Sequence, residues 1–305
     1  MLIHLLKKSQ ILLLSLWIVI TITFFLVHSI PGDPFAQDLP LQQEVFQAMR
    51  RHYKLDQPLH IQYLYYLKNV CSGNLGPSMR YEGQTVQKII FSTFPISCRL
   101  GLQSLVIAIY GGIVLGTIAA LNRGKWQEKL ILFITTLGIS MPSFILSVLL
   151  QYLFSYKLNL LPVGRWGNFE QTILPSLSLA LLPMASITRL FSSSLRDVLK
   201  KDYIVTARSK GLSSLRLCLY HTLPNAILPV LTYLGPTIAH ILMGSFIIEK
   251  VYAIPGLGQW FVLSISNNDY TMTLGLTLFY GTILSISLIL IDLLNHWLDP
   301  RLRHG

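Results

Sequence analysis

The chain has 305 residues, of which 52% are apolar and only 12% charged, with a net charge of +11 and a mean hydropathy of +0.55. A soluble domain carries roughly 25% charged residues, and a chain this long could not cover its surface with half that share. The composition excludes a cytosolic enzyme, a disordered chain and a small disulfide-stapled domain, and it predicts an integral membrane protein.

A bilayer core of about 30 Å needs about 20 predominantly apolar residues in a helix. Six segments qualify, in chain order Ile11–Ile30, Leu100–Leu121, Leu130–Leu153, Ile173–Phe191, Ala226–Ile248 and Leu274–Leu298. The fold class is therefore all-α, with six transmembrane helices, because a lone segment in lipid must satisfy its own backbone hydrogen bonds. Strand-like alternation of the kind a membrane barrel shows is absent from the sequence. Lys7 and Lys8 precede the first apolar run as they would in a secretory leader, but the run ends in His28-Ser-Ile-Pro-Gly-Asp-Pro34 without a small-x-small cleavage site. It reads as a retained span.

Residues 31–96 form the one large polar excursion, between a first unit of residues 1–30 and a five-helix unit of residues 97–298, with a tail at 299–305. Leu41, Val45, Ala48 and Met49 recur at helical spacing, as do Leu59, Tyr63, Tyr66, Leu67 and Val70. Gly73, Gly76 and Pro77 interrupt the pattern, and Val86, Ile89, Ile90 and Phe94 resume it toward the second span. A small helical layer outside the membrane is expected, with a solvated loop as the alternative. In the second span, Ala108, Gly112, Gly116 and Ala120 form a small-xxx-small face suited to close helix approach. Pro142, Pro183 and Pro236 interrupt later spans and either kink them or free carbonyls toward a polar path.

Charge sets the orientation. With the N-terminus in the cytoplasm, the inside holds 14 basic and five acidic residues and the outside ten and eight. Seven of those outer ten lie in or beside the long 31–99 segment, where the rule is weak. Both termini are therefore expected in the cytoplasm. The basic excess is explained by topology, and nucleic acid is not an expected partner.

Catalytic patterns are missing. The sequence has no phosphate-cradling Gly-rich loop, no His-Glu-x-x-His pair and no Gly-x-Ser-x-Gly, so neither an enzyme nor a metal site is expected. Cys71, Cys98 and Cys218 form no Cys-x-x-Cys pair. They read as ordinary thiols, with a Cys71–Cys98 bridge as the alternative. Asp292 is the sole acidic residue inside a predicted span, near its cytoplasmic end, where water and Arg301 are within reach. A secondary carrier usually needs a charge nearer the midplane, which argues against that class. His240, mid-span in the fifth helix, is the candidate for lining a translocation path; a hydrogen bond to a neighbouring helix is the plainer alternative.

The informative loop lies between spans four and five, from Asp202 to Pro229. Asp202 can cap a short helix and Gly211 can end it in the left-handed conformation. A two-turn helix is marginal alone, so it is expected to dock. Ile204, Val205, Ala207 and Leu212 offer an apolar surface flanked by Arg208 and Lys210, which either lies on the membrane or plugs into a partner.

Here the chain resembles the inner-membrane permeases of binding-protein-dependent ABC importers. Ala207, Gly211 and Leu223-Pro224 match the family's loop motif, while Val205, Thr206 and His221 replace its Glu, first Ala and Ile. Thr206-Ala-Arg-Ser-Lys-Gly211 and His221-Thr-Leu-Pro-Asn-Ala226 are similar to the version found in the peptide and nickel branch, from which Val205 departs where Arg is frequent. Pro31-Gly-Asp-Pro34, Leu55-Asp-Gln-Pro-Leu59, Gln62-Tyr-Leu64, Asn74-Leu-Gly76, Glu249 with Ile254-Pro-Gly-Leu-Gly258, and Asn268-Asp-Tyr270 extend the resemblance over nearly the whole chain. It is nearest to the first of the two permeases of dipeptide and oligopeptide importers.

The resemblance implies a type I ABC importer permease bundle working by alternating access. The implied partners are a homologous second permease, two ATP-binding subunits that carry ATP and magnesium, and an extracytoplasmic solute-binding protein. Tyr203, Ala207, Arg208, Lys210 and Gly211 would meet an ATPase cleft, and Leu223 and Pro224 would brace the loop against the fifth helix. No cofactor is expected on this chain. Di- or oligopeptide is the implied solute, with nickel, glutathione or another small solute as the alternative.

Overall fold

The structure is a computed structural model describing residues 2–30, 35 and 43–298. Its helices in chain order are α1 (Leu2–Ser29), α2 (Gln43–His52), α3 (Leu59–Cys71), α4 (Val86–Leu121), α5 (Trp126–Ser140), α6 (Ser143–Leu150), α7 (Phe169–Leu199), α8 (Asp202–Ser209), α9 (Ser214–Leu217), α10 (Leu223–Ala226), α11 (Leu228–Leu242), α12 (Phe246–Val251), α13 (Leu257–Ser266) and α14 (Tyr270–Leu298). Wider π-helical turns run over Gln151–Lys157 and Cys218–Thr222. Among the described residues, the one strand-like feature is an isolated bridge between Pro77 and Thr85. The Leu41 pattern and the Pro31–Pro34 motif begin or lie outside the described residues, as does Arg301.

Five spans are long and apolar enough to cross a bilayer: Lys8–Ser29, Val86–Leu121, Phe169–Leu199, Leu228–Val251 and Tyr270–His296. The predicted third span, Leu130–Leu153, is not one helix. It breaks at Met141–Pro142, and the chain direction bends by 111° between the two halves. Met141 takes an extended backbone (φ −88°, ψ 131°), the conformation that a following proline enforces. With the bent pair counted as one crossing, the bundle has six. Pro183 and Pro236 are accommodated without ending α7 or α11.

The core is the α4–α7 pair. Cβ atoms added at Gly112 and Gly116 would come within 2.5 Å of Ile187 and 2.9 Å of the Thr188 carbonyl, so the small-residue face lets the two helices touch backbone to side chain. Ala108, Ala120, Ile187 and Phe191 complete this layer. The 36-residue α4 is much longer than the Leu100–Leu121 span predicted for it. Val86, Ile89 and Ile90, expected to precede the span, are the first turns of the same helix and are buried. Thr85 caps it, accepting from the Lys88 N–H at 3.2 Å. The helix runs through residues 96 and 97 without a break.

α1 is peripheral and packs on α14, with Leu16 against Gly281. Lys8 pairs with Asp292 across that contact, so the neutralising partner of Asp292 comes from α1. Within residues 31–99 the described chain forms a helical segment, α2 and α3. It shares one end of the bundle, the α3 end, with the start of α14; α8 marks the opposite end. Cys71, Cys98 and Cys218 are all free thiols.

Candidate functional site

At the α8 end the chain leaves α7, forms α8, and returns through α9 and α10 into α11. Lys201, extended at φ −72° and ψ 143°, occupies the N-cap of α8 and gives no side-chain hydrogen bond. The predicted Asp202 cap is thus displaced by one residue: Asp202 is already helical, where its charge still favours the positive helix end. Gly211 has φ +78° and closes the helix as predicted, its N–H donating to the Arg208 carbonyl at 3.0 Å. A Cβ there would touch nothing within 4 Å in this chain. The backbone angle is what calls for glycine here.

Ile204 and Ala207 are buried, 1% and 8% exposed, in one core cluster with Val198, Leu217 and Ala226. Three residues apart on a helix, they share a face, and that face seats α8 on its own chain. Ala207 therefore does not point outward with Tyr203 as expected, and Val205 does not join Ile204. The outward side carries Tyr203, Val205, Arg208 and Lys210. Leu223 packs on the same core, and Pro224 lies in the first turn of α10 directly after the π-helical turn Cys218–Thr222, a local widening that accommodates a residue with no N–H to donate. Two α7 side chains fix the neighbouring surface: Arg196 pairs with Glu128 of α5 at 2.5 Å, and Arg189 donates to Thr136.

Midway along the bundle, His240 is exposed and lines two cavities. One, of about 270 Å³, lies between α7 and α11 and includes Ser178, Pro183, Tyr233, Pro236 and Thr237. The other, of about 310 Å³, is lined by residues of α12, α13 and α14, including Phe261, Leu276 and Tyr280, and by Met243. His240 is thus the side chain common to both. The two prolines that interrupt the sequence pattern also line the first cavity.

Toward the α3 end, a node joins helices far apart in sequence. Glu249 of α12 is fully buried. Its Oε1 accepts from Ser97 Oγ of α4 at 2.6 Å, and its Oε2 accepts from the Gln259 N–H at 3.3 Å. Ser97 in turn accepts from the Leu257 N–H at 2.8 Å. Cβ atoms at Gly244, Gly256 and Gly258 would fall 2.0, 2.3 and 2.9 Å from the Glu249 carboxylate. Three glycines therefore make room for one buried acid. The sequence showed Glu249 and the glycine pair but not Ser97, which lies 152 residues away.

A second buried acid, Asp269, holds the start of α14. It accepts from the Met272 N–H at 3.0 Å, from the Met79 N–H at 3.2 Å and from Ser78 Oγ. Tyr53 donates to the Ser78 carbonyl at 2.8 Å. Burial, with Asp269 and Glu82 nearby, pushes the Tyr53 phenol above its ordinary value, so it remains a neutral donor.

A polytopic helical bundle with a short helix seated at one end, and a polar side chain shared by two cavities within it, is the architecture of a multi-pass membrane protein. The particular family is shown by comparison. Residues 112–304 match the family described as binding-protein-dependent transport system inner membrane component, and residues 1–100 match its N-terminal region. The chain belongs to this family, and its bundle is of the type I ABC importer permease kind. It is 41% identical over 300 residues to the dipeptide transport system permease protein DppB of Bacillus subtilis (strain 168), covering 98% of this chain and 97% of that one. It is 37% identical to DppB of Lactococcus lactis subsp. cremoris, covering 98% and 99%, and 39% identical to the oligopeptide transport system permease protein OppB of Haemophilus influenzae, covering 95% of each.

Proposed function

We propose that this chain is one of two homologous permease subunits of an ATP-driven, binding-protein-dependent importer of di- and oligopeptides in a bacterial inner membrane. The observation that carries the reading is the end-to-end similarity to permeases named for dipeptide and oligopeptide transport. Both termini and α8 face the cytoplasm, and the α3 end faces outward toward a solute-binding protein. Two ATPase subunits bind and hydrolyse ATP; this chain supplies the path and the coupling surface.

In this mechanism α8 is the contact through which ATPase closure moves the bundle. Ile204 and Ala207 bind it to its own core, so a push on Tyr203, Arg208 and Lys210 reaches α7 and α10 through packed side chains. Arg208 and Lys210 meet acidic or carbonyl groups at the rim of the ATPase cleft. Gly211 brings the chain back toward α9 at its positive φ, and Leu223 and Pro224 brace the return into α11. His240, at the junction of the two cavities, lines the path that alternating access opens to one side and then the other.

The test is peptide uptake into proteoliposomes holding the assembled transporter and its binding protein. Gly211→Asp adds a side chain at positive φ and a charge at the coupling face, far from the bundle core. It is expected to abolish uptake and to leave ATP hydrolysis unresponsive to peptide-loaded binding protein, with the chain still inserted and assembled. Normal uptake by that variant would remove the coupling role of α8. ATP-independent peptide exchange by the wild type would remove the importer reading altogether.

A further inference from the structure

The broken third crossing is bonded differently on its two sides. Its α5 half is held to α7 by Arg189, which donates to Thr136, and by Arg196, which pairs with Glu128. At the bend Pro142 has no N–H to donate, and Met141 and Pro142 are both extended, with ψ 131° and 139°. The helical hydrogen-bond ladder is interrupted there, so a shift of α5 passes poorly to α6 along the backbone.

α6 is held instead through Tyr252, the fully buried residue that ends α12. Its Oη lies 2.8 Å from Ser178 Oγ of α7 and 3.2 Å from the Ser147 carbonyl of α6. A phenol has one proton and a carbonyl has none. Tyr252 therefore donates to Ser147 and accepts from Ser178. Its own backbone is clamped: the carbonyl accepts from the Arg165 N–H at 2.7 Å, and a Cβ at Gly164 would come within 2.6 Å of that oxygen. Gln151, the residue after α6, donates to the Val251 carbonyl at 3.3 Å, so α6 and α12 are tied into one piece. Among the described residues, apolar packing aside, the Ser178–Tyr252 bond is what joins that piece to α7.

Both ends of this relay reach the cavity of about 270 Å³ that His240 lines. Ser178 lines it from α7, and Ser143 lines it from the first turn of α6. The Ser143 carbonyl accepts from Ser147 Oγ at 2.7 Å, within one turn of the carbonyl that Tyr252 binds. The bend, the relay and the cavity wall thus coincide.

We propose that Tyr252 is a positioning residue for transport: its hydroxyl holds the α6 wall of the cavity against the α7 wall and carries movement of α7 across to α6. The inference rests on the reading of that cavity as part of the translocation path. A push arriving along α7 moves α5 directly through the two arginines, but it reaches the far side of the bend through Ser178 and Tyr252.

The test measures peptide delivered per ATP hydrolysed in response to loaded binding protein. The assembled transporter is reconstituted in proteoliposomes and supplied with radiolabelled Ala-Ala. Tyr252→Phe keeps the ring and removes the hydroxyl, and Ser178→Ala removes its partner. Each is expected to lower the peptide-to-ATP ratio at least fivefold, and the double variant no further than either single. Loss of folded transporter lowers uptake and hydrolysis together and leaves the ratio unchanged, so a wild-type ratio in Tyr252→Phe overturns the proposal. A fall in Tyr252→Phe without one in Ser178→Ala overturns it too, because the relay would then not run through α7. A double variant well below both singles overturns it by showing two separate contributions. If Tyr252→Phe does not assemble, Ser178→Ala decides by the same reading. Wild-type vesicles without ATP-driven Ala-Ala uptake would instead count against the importer reading itself.

Discussion

The two ends of the bundle are held by different means. At the α3 end, buried acids tie distant segments together: Glu249 joins α12, α13 and α4, and Asp269 joins the start of α14 to Ser78 and Met79. At the α8 end, the short helix is anchored by apolar contacts from Ile204 and Ala207 while its charged residues face outward. A hydrogen-bonded carboxylate has strict geometric demands, whereas an apolar seat is non-directional. The first arrangement fixes one geometry from within the chain. The second leaves a small element able to shift on its seat, and suits a surface that a partner completes.

The largest expected effect lies between the two ends, at the contact both depend on. Gly112→Leu drives a side chain into Ile187; overpacking typically costs about 1–3 kcal/mol and occasionally more. Little assembled protein should survive size-exclusion chromatography, and a normal yield would break the account of α4–α7 as the common frame. Next, Glu249→Ala leaves the Ser97 hydroxyl and the Gln259 N–H without their acceptor, at about 1–3 kcal/mol for a buried group left unsatisfied. A fall of several degrees in the melting temperature of the detergent-solubilised complex is expected, and Ser97→Ala should lower it less than additively when combined. Full additivity would mean that the two side chains do not act as one node.

At the α8 end the expectation reverses. Arg208→Ala with Lys210→Ala should change the melting temperature little, because both residues are exposed and surface substitutions stay within about 0.5 kcal/mol. The same double variant should reduce uptake at least fivefold. Unchanged uptake would erase the functional side of the contrast. The smallest effect is a gain: Lys201→Asn supplies the cap acceptor that α8 lacks, worth about 1 kcal/mol. It should slow amide exchange over residues 204–209, and no slowing would show that the seat alone sets the stability of α8.

What could be read from the sequence followed what is local. Gly112 and Gly116 announced a close helix contact, because spacing of four places them on one face. Gly211 announced the end of α8 for the same kind of reason, since one residue suffices for a left-handed turn. Pro142 marks the break in the third span, but apolar content is continuous through Leu130–Leu153, and hydropathy carries no information about a 111° bend. The orientation of α8 was hidden because Ile204, Val205 and Ala207 are all apolar, and two turns are too few for periodicity to decide which face is covered. Partnerships across the fold, such as Ser97 with Glu249 and Lys8 with Asp292, involve residues 152 and 284 positions apart. Only the packing of helices brings them together.

The length of α4 has a mechanical consequence. Ser97, about a third of the way along, touches the buried acid of α12, and Leu121 at the far end lies beside the turn into α5. The intervening 24 residue steps make a rod of roughly 36 Å, so a tilt of about ten degrees would sweep its far tip through about 6 Å. A small rotation imposed at the Ser97 contact is thereby converted into a displacement larger than a water molecule at Leu121, without any bond along the rod having to stretch.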